Sequence, residues 1–215
     1  MGIVGSSKLL TALRWVMQRM AAPSKQNLYG PKFQGWRIGM DCHMLLHKAI
    51  QRQGNADALV INERPDYKPV AMAVANWCRQ MLKGGLHLHV AFDGPNAPPG
   101  KKTKHKRAAE ARDKLKEVCD SVESGLVPAP ADVVKAASCF VDAAMVEAVR
   151  LALREVATEF PAGRLQVFVA PFEADSQLTH WAKTGVVNAV LTVRSISSVH
   201  PSAPGFALLP RYVRY

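Results

Sequence analysis

Four acidic residues, Asp41, Asp93, Glu173 and Asp175, follow short hydrophobic runs: WRIGM before Asp41, LHLHVAF before Asp93, and LQVFVA-Pro-Phe before Glu173 and Asp175. If those runs are strands of one parallel sheet, the acids gather at its carboxyl edge, where ligands of α/β proteins sit. Carboxylates brought that close repel one another unless a cation neutralises them. Oxygen-only ligation of this kind suits Mg²⁺ or Mn²⁺ rather than zinc. Plainer roles stand beside this one. Glu173 and Asp175 sit near an expected helix start, where the helix dipole favours negative charge, and Asp-Gly after a strand is ordinary turn chemistry for Asp93.

The elements that must position these acids follow from hydrophobic periodicity. Residues 36–41 read as a short buried strand, and 86–92, 165–170 and 186–191 as further strands. Helical spacing recurs over about 43–53, 69–82, 133–158 and 174–183, with Gly84-Gly85 and Gly185 as stops. An earlier amphipathic stretch carries Leu9, Leu10, Leu13, Val16, Met17 and Met20 on one helix face and closes at Pro23. Residues 54–67 read as a loop, 95–100 (PNAPPG) cannot hold regular structure, 101–118 is helix-compatible and 121–132 is loose. Helices alternating with hydrophobic strands predict an α/β fold with a largely parallel central sheet flanked by helices. From Val193 onward the chain has three prolines, no acid and no clear period, and reads as an irregular tail.

The 215 residues carry a net charge of +11, which favours a polyanionic partner, nucleic acid or an acidic membrane surface. The surplus is uneven. Residues 1–40 contain no Asp or Glu, and Lys101 to Lys116 holds eight Lys or Arg against two acids; a solvated helix face is the bland alternative for that run. Cys42, Cys78, Cys119 and Cys139 form no CxxC pair, which argues against structural zinc and for a reduced, intracellular protein. No apolar stretch is long enough to span a membrane. The opening Met1-Gly2-Ile3-Val4-Gly5-Ser6 matches a loose myristoylation pattern, and basic, acid-free residues 8–20 match a mitochondrial transit peptide.

The words around the four acids point further. Met1-Gly2-Ile3-Val4-Gly5, the Asp41 segment with Leu46-His47-Lys48, Ala91-Phe92-Asp93-Gly94 and Ala170-Pro171-Phe172-Glu173-Ala174-Asp175 occur in that order. Together, over residues 1–192, they resemble the flap endonuclease and exonuclease 1 superfamily of structure-specific 5′ nucleases, with wording nearest the exonuclease 1 branch. APFEADSQL is the most specific of these words.

The resemblance implies a PIN-like 5′ nuclease core with a basic helical arch. Residues 1–120 correspond to the N-terminal region of the family, with the arch at about 95–120, and 121–192 to a truncated internal region. It implies hydrolysis of DNA phosphodiester bonds as a 5′–3′ exonuclease or flap endonuclease in repair or replication. The partner would be DNA with 5′ ends or flaps, in the nucleus, with a mitochondrial location as the alternative. Asp41, Asp93, Glu173 and Asp175 fall on metal-binding carboxylates, and two Mg²⁺ or Mn²⁺ ions about 3.5–4 Å apart would activate a water and stabilise the leaving oxygen. Arg107 falls on the arginine at the base of the arch, and Lys101 is taken for a catalytic lysine. Gly2, His47, Lys102, Lys104, Lys106 and Arg112 would contact DNA, His47 by wedging against the duplex end. Backbone contacts of this kind position DNA without reading its sequence.

Two departures matter. The family lysine expected seven residues after Asp93 falls on Gly100, so Lys101 or Lys102 must substitute. After Thr192 the family continues Glu-Asp-Ser-Asp, two of whose aspartates bind the second metal; here Val193-Arg194-Ser195-Ile196 follow. The second metal site is therefore impaired, and the later half of the core is missing. Val-Arg can be encoded by the usual start of an intron, so residues 193–215 are either translated intron or the tail of a degenerate paralogue. The alternative function is accordingly a catalytically impaired DNA-end-binding protein or a truncated gene product.

Overall fold

A computed structural model describes residues 33–62, 64–94, 102–192 and 207–210. The expected helix around residues 9–20, together with Gly2 and Lys101, lies outside them. The apolar runs form strands as expected: β1 (Arg37–Asp41), β2 (His87–Phe92) and β3 (Leu165–Val169). A fourth strand, β4 (Ala189–Thr192), begins later than the hydrophobic run suggests. Gly185 ends the preceding helix in the left-handed region (φ 77°), which glycine adopts without strain. Asn188 then ties the turn to β1, its Oδ1 accepting from Arg37 N at 2.8 Å.

The strand order is β3-β2-β1-β4, all parallel, and Ala207–Pro210 adds an antiparallel edge strand, β5, beside β4. The sheet is thus largely parallel, as the alternation of elements predicts, whereas β5 falls in a tail expected to be irregular.

The helices, in chain order, are α1 (Cys42–Ile50), α2 (Gln53–Val60), α3 (Lys68–Lys83), α4 (Lys102–Glu123), α5 (Pro130–Ala137), α6 (Ala143–Thr158) and α7 (Ala174–Thr184). Three expectations are corrected. The loop expected over 54–67 contains α2: Gly54 and Asn55 are weak helix formers, but Ala56 and Leu59, three residues apart, are both buried, and that burial outweighs propensity. The helical pattern over 133–158 divides into α5, a 3₁₀ turn at Ser138–Phe140 and α6, because Asp142 caps α6 by accepting from Met145 N at 2.9 Å. The basic helix runs to Glu123, five residues past its expected end, and Ser121 and Ser124 cap its last carbonyls with their hydroxyls.

The sheet divides the core. Ile38, Met40, Leu88, Val90, Phe92, Ala189 and Leu191 join one large cluster with the buried faces of α1, α3 and α6. On the opposite face Ala91 packs with Ala174, Leu178, Trp181 and Val187. These residues alternate along each strand, as the period of two requires. Among the described helices α7 alone covers the smaller cluster, crossing from β3 at one edge to β4 on the far side of β1. That jump makes the carboxyl ends of β1 and β4 the switch point of the sheet, the usual place for a ligand.

Candidate functional site

Asp41 is the last residue of β1 and the N-cap of α1. Its backbone is extended, and its Oδ1 accepts from His43 N at 2.8 Å. Asp93 directly follows β2, and its Oδ1 accepts from Ala174 N at 2.9 Å, at the first residue of α7. Glu173 is the N-cap residue of α7 and Asp175 lies in its first turn. The capping role weighed from the sequence for Glu173 and Asp175 is seen instead at Asp41 and Asp93, each of which accepts from a backbone N–H at a helix start. One capping bond uses one of about four acceptor positions on a carboxylate, so it does not exhaust either group.

The loop after β2 is held tightly against the loop after β3. Gly94 N donates to Phe172 O. A Cβ at Gly94 would lie 1.9 Å from the carbonyl oxygen of Ala170, so only glycine lets the two backbones meet. This approach brings Asp93 to the start of α7. Asp-Gly here is more than a turn; it joins two strand ends.

Electrostatics registers the grouping. Burial raises the Asp41 carboxyl above its ordinary range; the His43 side chain and backbone N–H oppose that rise, and the charges of Asp93 and Asp175 add to it. Three carboxylates from three different strand–helix junctions thus share one neighbourhood. Two helix N-termini, those of α1 and α7, meet there and offset part of their repulsion.

His43, which the sequence reading passed over, belongs to this group. Its Nδ1 accepts from Asp93 N at 3.4 Å and lies 3.8 Å from Asp93 Oδ2. Its ring stands edge-on to Phe92, centroids 6.3 Å apart. The available signal was a histidine two residues after a strand-end aspartate, on the first turn of a helix. Its meeting with Asp93, fifty residues away, has no local signature.

The carboxylate set suits a hard divalent cation in kind, since it offers charged oxygens at the end of a parallel sheet. Among the described residues, no three His, Cys, Asp or Glu side chains already converge on the shell of one ion. Gathering Asp41, Asp93 and Asp175 around an ion therefore requires their side chains to turn inward, which the half-exposed Asp93 and exposed Asp175 leave room for.

The remaining sequence candidates are dispersed. His47 is exposed in the last turn of α1. Lys102, Lys104, Lys106, Arg107 and Arg112 lie along α4, and Lys106 is exposed, 3.9 Å from Glu110. α4 packs against α5 through Val118, Ala111 and Leu115 rather than lying on the sheet. All four cysteines are free thiols; Cys42 and Cys78 are buried, and burial pushes Cys78 up to about 12. Among the described residues no helix is long and apolar enough to cross a membrane.

No protein-family model matches the chain. Among solved structures it is similar to two of the catalytic core of Rad2 in complex with DNA substrate. The first is 14% identical with a TM-score of 0.44, over 76% of this chain and 40% of that one. The second is 15% identical with a TM-score of 0.43, over 76% of this chain and 39% of that one. The chain spans about two fifths of the length of these structures.

Proposed function

We propose that this chain is a structure-specific 5′ nuclease of DNA, of the exonuclease 1 type, that uses divalent cations to hydrolyse phosphodiester bonds at 5′ ends or flaps. The observation that carries this reading is the meeting of Asp41 and Asp93, at the carboxyl ends of two adjacent parallel strands, with Asp175 in the first turn of α7, close enough for their charges to act on the Asp41 carboxyl. The ordered words from MGIVG to APFEAD supply the substrate class.

Bound Mg²⁺ or Mn²⁺ would supply an activated water and charge stabilisation for the leaving oxygen. The chain's own residues do the rest. Asp41, Asp93, Glu173 and Asp175 hold the cations, with Asp93 fixed by its bond to Ala174 N. The basic surface of α4 draws the DNA backbone in, with salt-dependent affinity. Arg107 and Lys101 offer positive charge to the phosphate in the transition state. Repair or replication in the nucleus is the setting that suits such an activity.

A magnesium-dependent assay on 5′-flapped and recessed duplexes tests the reading, with Asp93→Ala as control. Cleavage should require Mg²⁺ or Mn²⁺ and fall by at least about a hundredfold in the variant. Cleavage that persists in Asp93→Ala overturns the metal assignment.

A second reading has an observation of its own. In register, Met40 of β1 pairs with Leu191 of β4, so Thr192 ends its strand beside Asp41. Residues 193–215, which follow, contain no Asp or Glu. A chain without acids there would bind DNA ends without cutting them. Tight, salt-sensitive binding to 5′ flaps with no metal-dependent cleavage selects this reading. Sequencing the transcript across Thr192 then separates translated intron from a paralogue: a spliced message lacking the Val193 codon supports the former.

A further inference from the structure

His43 has one edge of its ring committed and the other uncommitted. Nδ1 accepts from Asp93 N at 3.4 Å and faces Asp93 Oδ2 at 3.8 Å. If the ring is neutral, that acceptor role places its proton on Nε2. If the ring is protonated, Nδ1–H faces the Asp93 carboxylate and Nε2 again carries a proton. Nε2 is therefore an N–H donor in either state. The ring is held by its edge-on contact with Phe92, its side chain is 23% exposed, and no described residue accepts from Nε2.

The surroundings decide what such a donor can serve. Asp41, Asp93 and Asp175 make this mouth negative, and among the described residues no Lys or Arg pairs with any of them. Among the described residues of this mouth, a phosphate meets three carboxylates and one donor, the His43 ring. We propose that His43 is a substrate-contacting residue: its Nε2–H donates to a non-bridging oxygen of a DNA phosphate beside the carboxylates, with Asp93 N–H fixing the ring. This rests on the nuclease reading above and adds to it the group that receives the phosphate independently of a cation.

A binding cycle tests it without relying on turnover. Fluorescence anisotropy is measured on a 5′-flapped duplex, with Ca²⁺ replacing Mg²⁺. Single neutral methylphosphonate linkages are placed in turn at the bond the wild type cleaves and at its neighbours. One neutral linkage should weaken wild-type binding by about tenfold, the scale of a charge-assisted hydrogen bond. His43→Ala should bind the all-phosphate duplex about tenfold more weakly, and that same neutral linkage should then cost clearly less than it does in the wild type. His43→Phe, which keeps a ring against Phe92 but has no N–H, should behave like His43→Ala, and it carries the cycle if the alanine variant loses its thermal transition.

Additive losses in these variants, with wild-type cleavage intact, overturn the His43 contact and leave the nuclease reading standing. A wild-type chain that neither binds nor cuts the duplex overturns both.

Discussion

On one side of the sheet Ile38, Met40, Leu88, Val90 and Phe92 disappear beneath α1, α3 and α6; on the other, α7 is the one described helix that covers Ala91 and its neighbours. The thinly covered side shows two signs of economy. His89 is buried against Phe168 and Trp181, with its Nδ1 lacking a hydrogen-bond partner. Toward the β3 edge Val169 and Phe172 are more than half exposed. The thick side supplies the cohesion that holds the strands in register. The thin side lets one helix deliver its N-terminus, and with it Glu173 and Asp175, to the strand ends where Asp41 and Asp93 wait.

The largest test of that contrast is Leu88→Ala, which empties space in the large cluster. It should lower the unfolding free energy by about 3–5 kcal/mol, and Leu178→Ala on the α7 side by about 2 kcal/mol, as read from urea denaturation. Equal losses would mean that the two faces contribute alike. Next comes Gly94→Ala, whose Cβ must displace the Ala170–Pro171 backbone. A loss of about 1–3 kcal/mol is expected, together with a loss of the proposed nuclease activity, because Asp93 moves relative to Ala174. A fully active Gly94→Ala would sever the link between that tight contact and the site.

A finer separation comes from Asp93→Asn. The amide oxygen keeps the bond to Ala174 N while the charge is gone. Stability should stay within about 1 kcal/mol of wild type while the proposed metal-dependent cleavage is lost; a large drop in stability with cleavage retained would reverse the roles of the two groups.

The smallest expected effect concerns pH. Burial lowers the His89 imidazole from its ordinary value, with Arg37 and His87 adding to the shift. A base weakened by folding binds its proton more readily when unfolded. Its contribution to stability is therefore full above about pH 6.5 and is lost as pH falls from there toward the folded value. Thermal melts at pH 7.5 and pH 5 should show a larger drop for wild type than for His89→Phe. Identical drops would remove His89 from the account.

Much of this was legible in the residues. WRIGM, LHLHVAF and LQVFVA announce strands, because an apolar run of that length between turn signals has few other solutions, although β3, at the edge, leaves Phe168 and Val169 exposed. Gly185 stops α7 as its position suggests. Other features stayed hidden where long-range packing overrode local preference. The helix α2 exists because Ala56 and Leu59 find a core built by residues far away in the chain. The start of β4 shifts because Val187 packs with the smaller cluster and Asn188 bonds to Arg37, a partner 151 positions away.

By itself the sequence determined the alternation of strands and helices, the parallel α/β class and the four acids at strand ends, since each follows from local periodicity and from which residue succeeds an apolar run. The tertiary structure alone decided that Asp93 bonds to the start of α7, that Asp41 feels both Asp93 and Asp175, and that His43 joins them. Those meetings depend on strand order and on the close approach at Gly94, and distance in space between residues 41, 93 and 175 is fixed by neither their spacing nor their type.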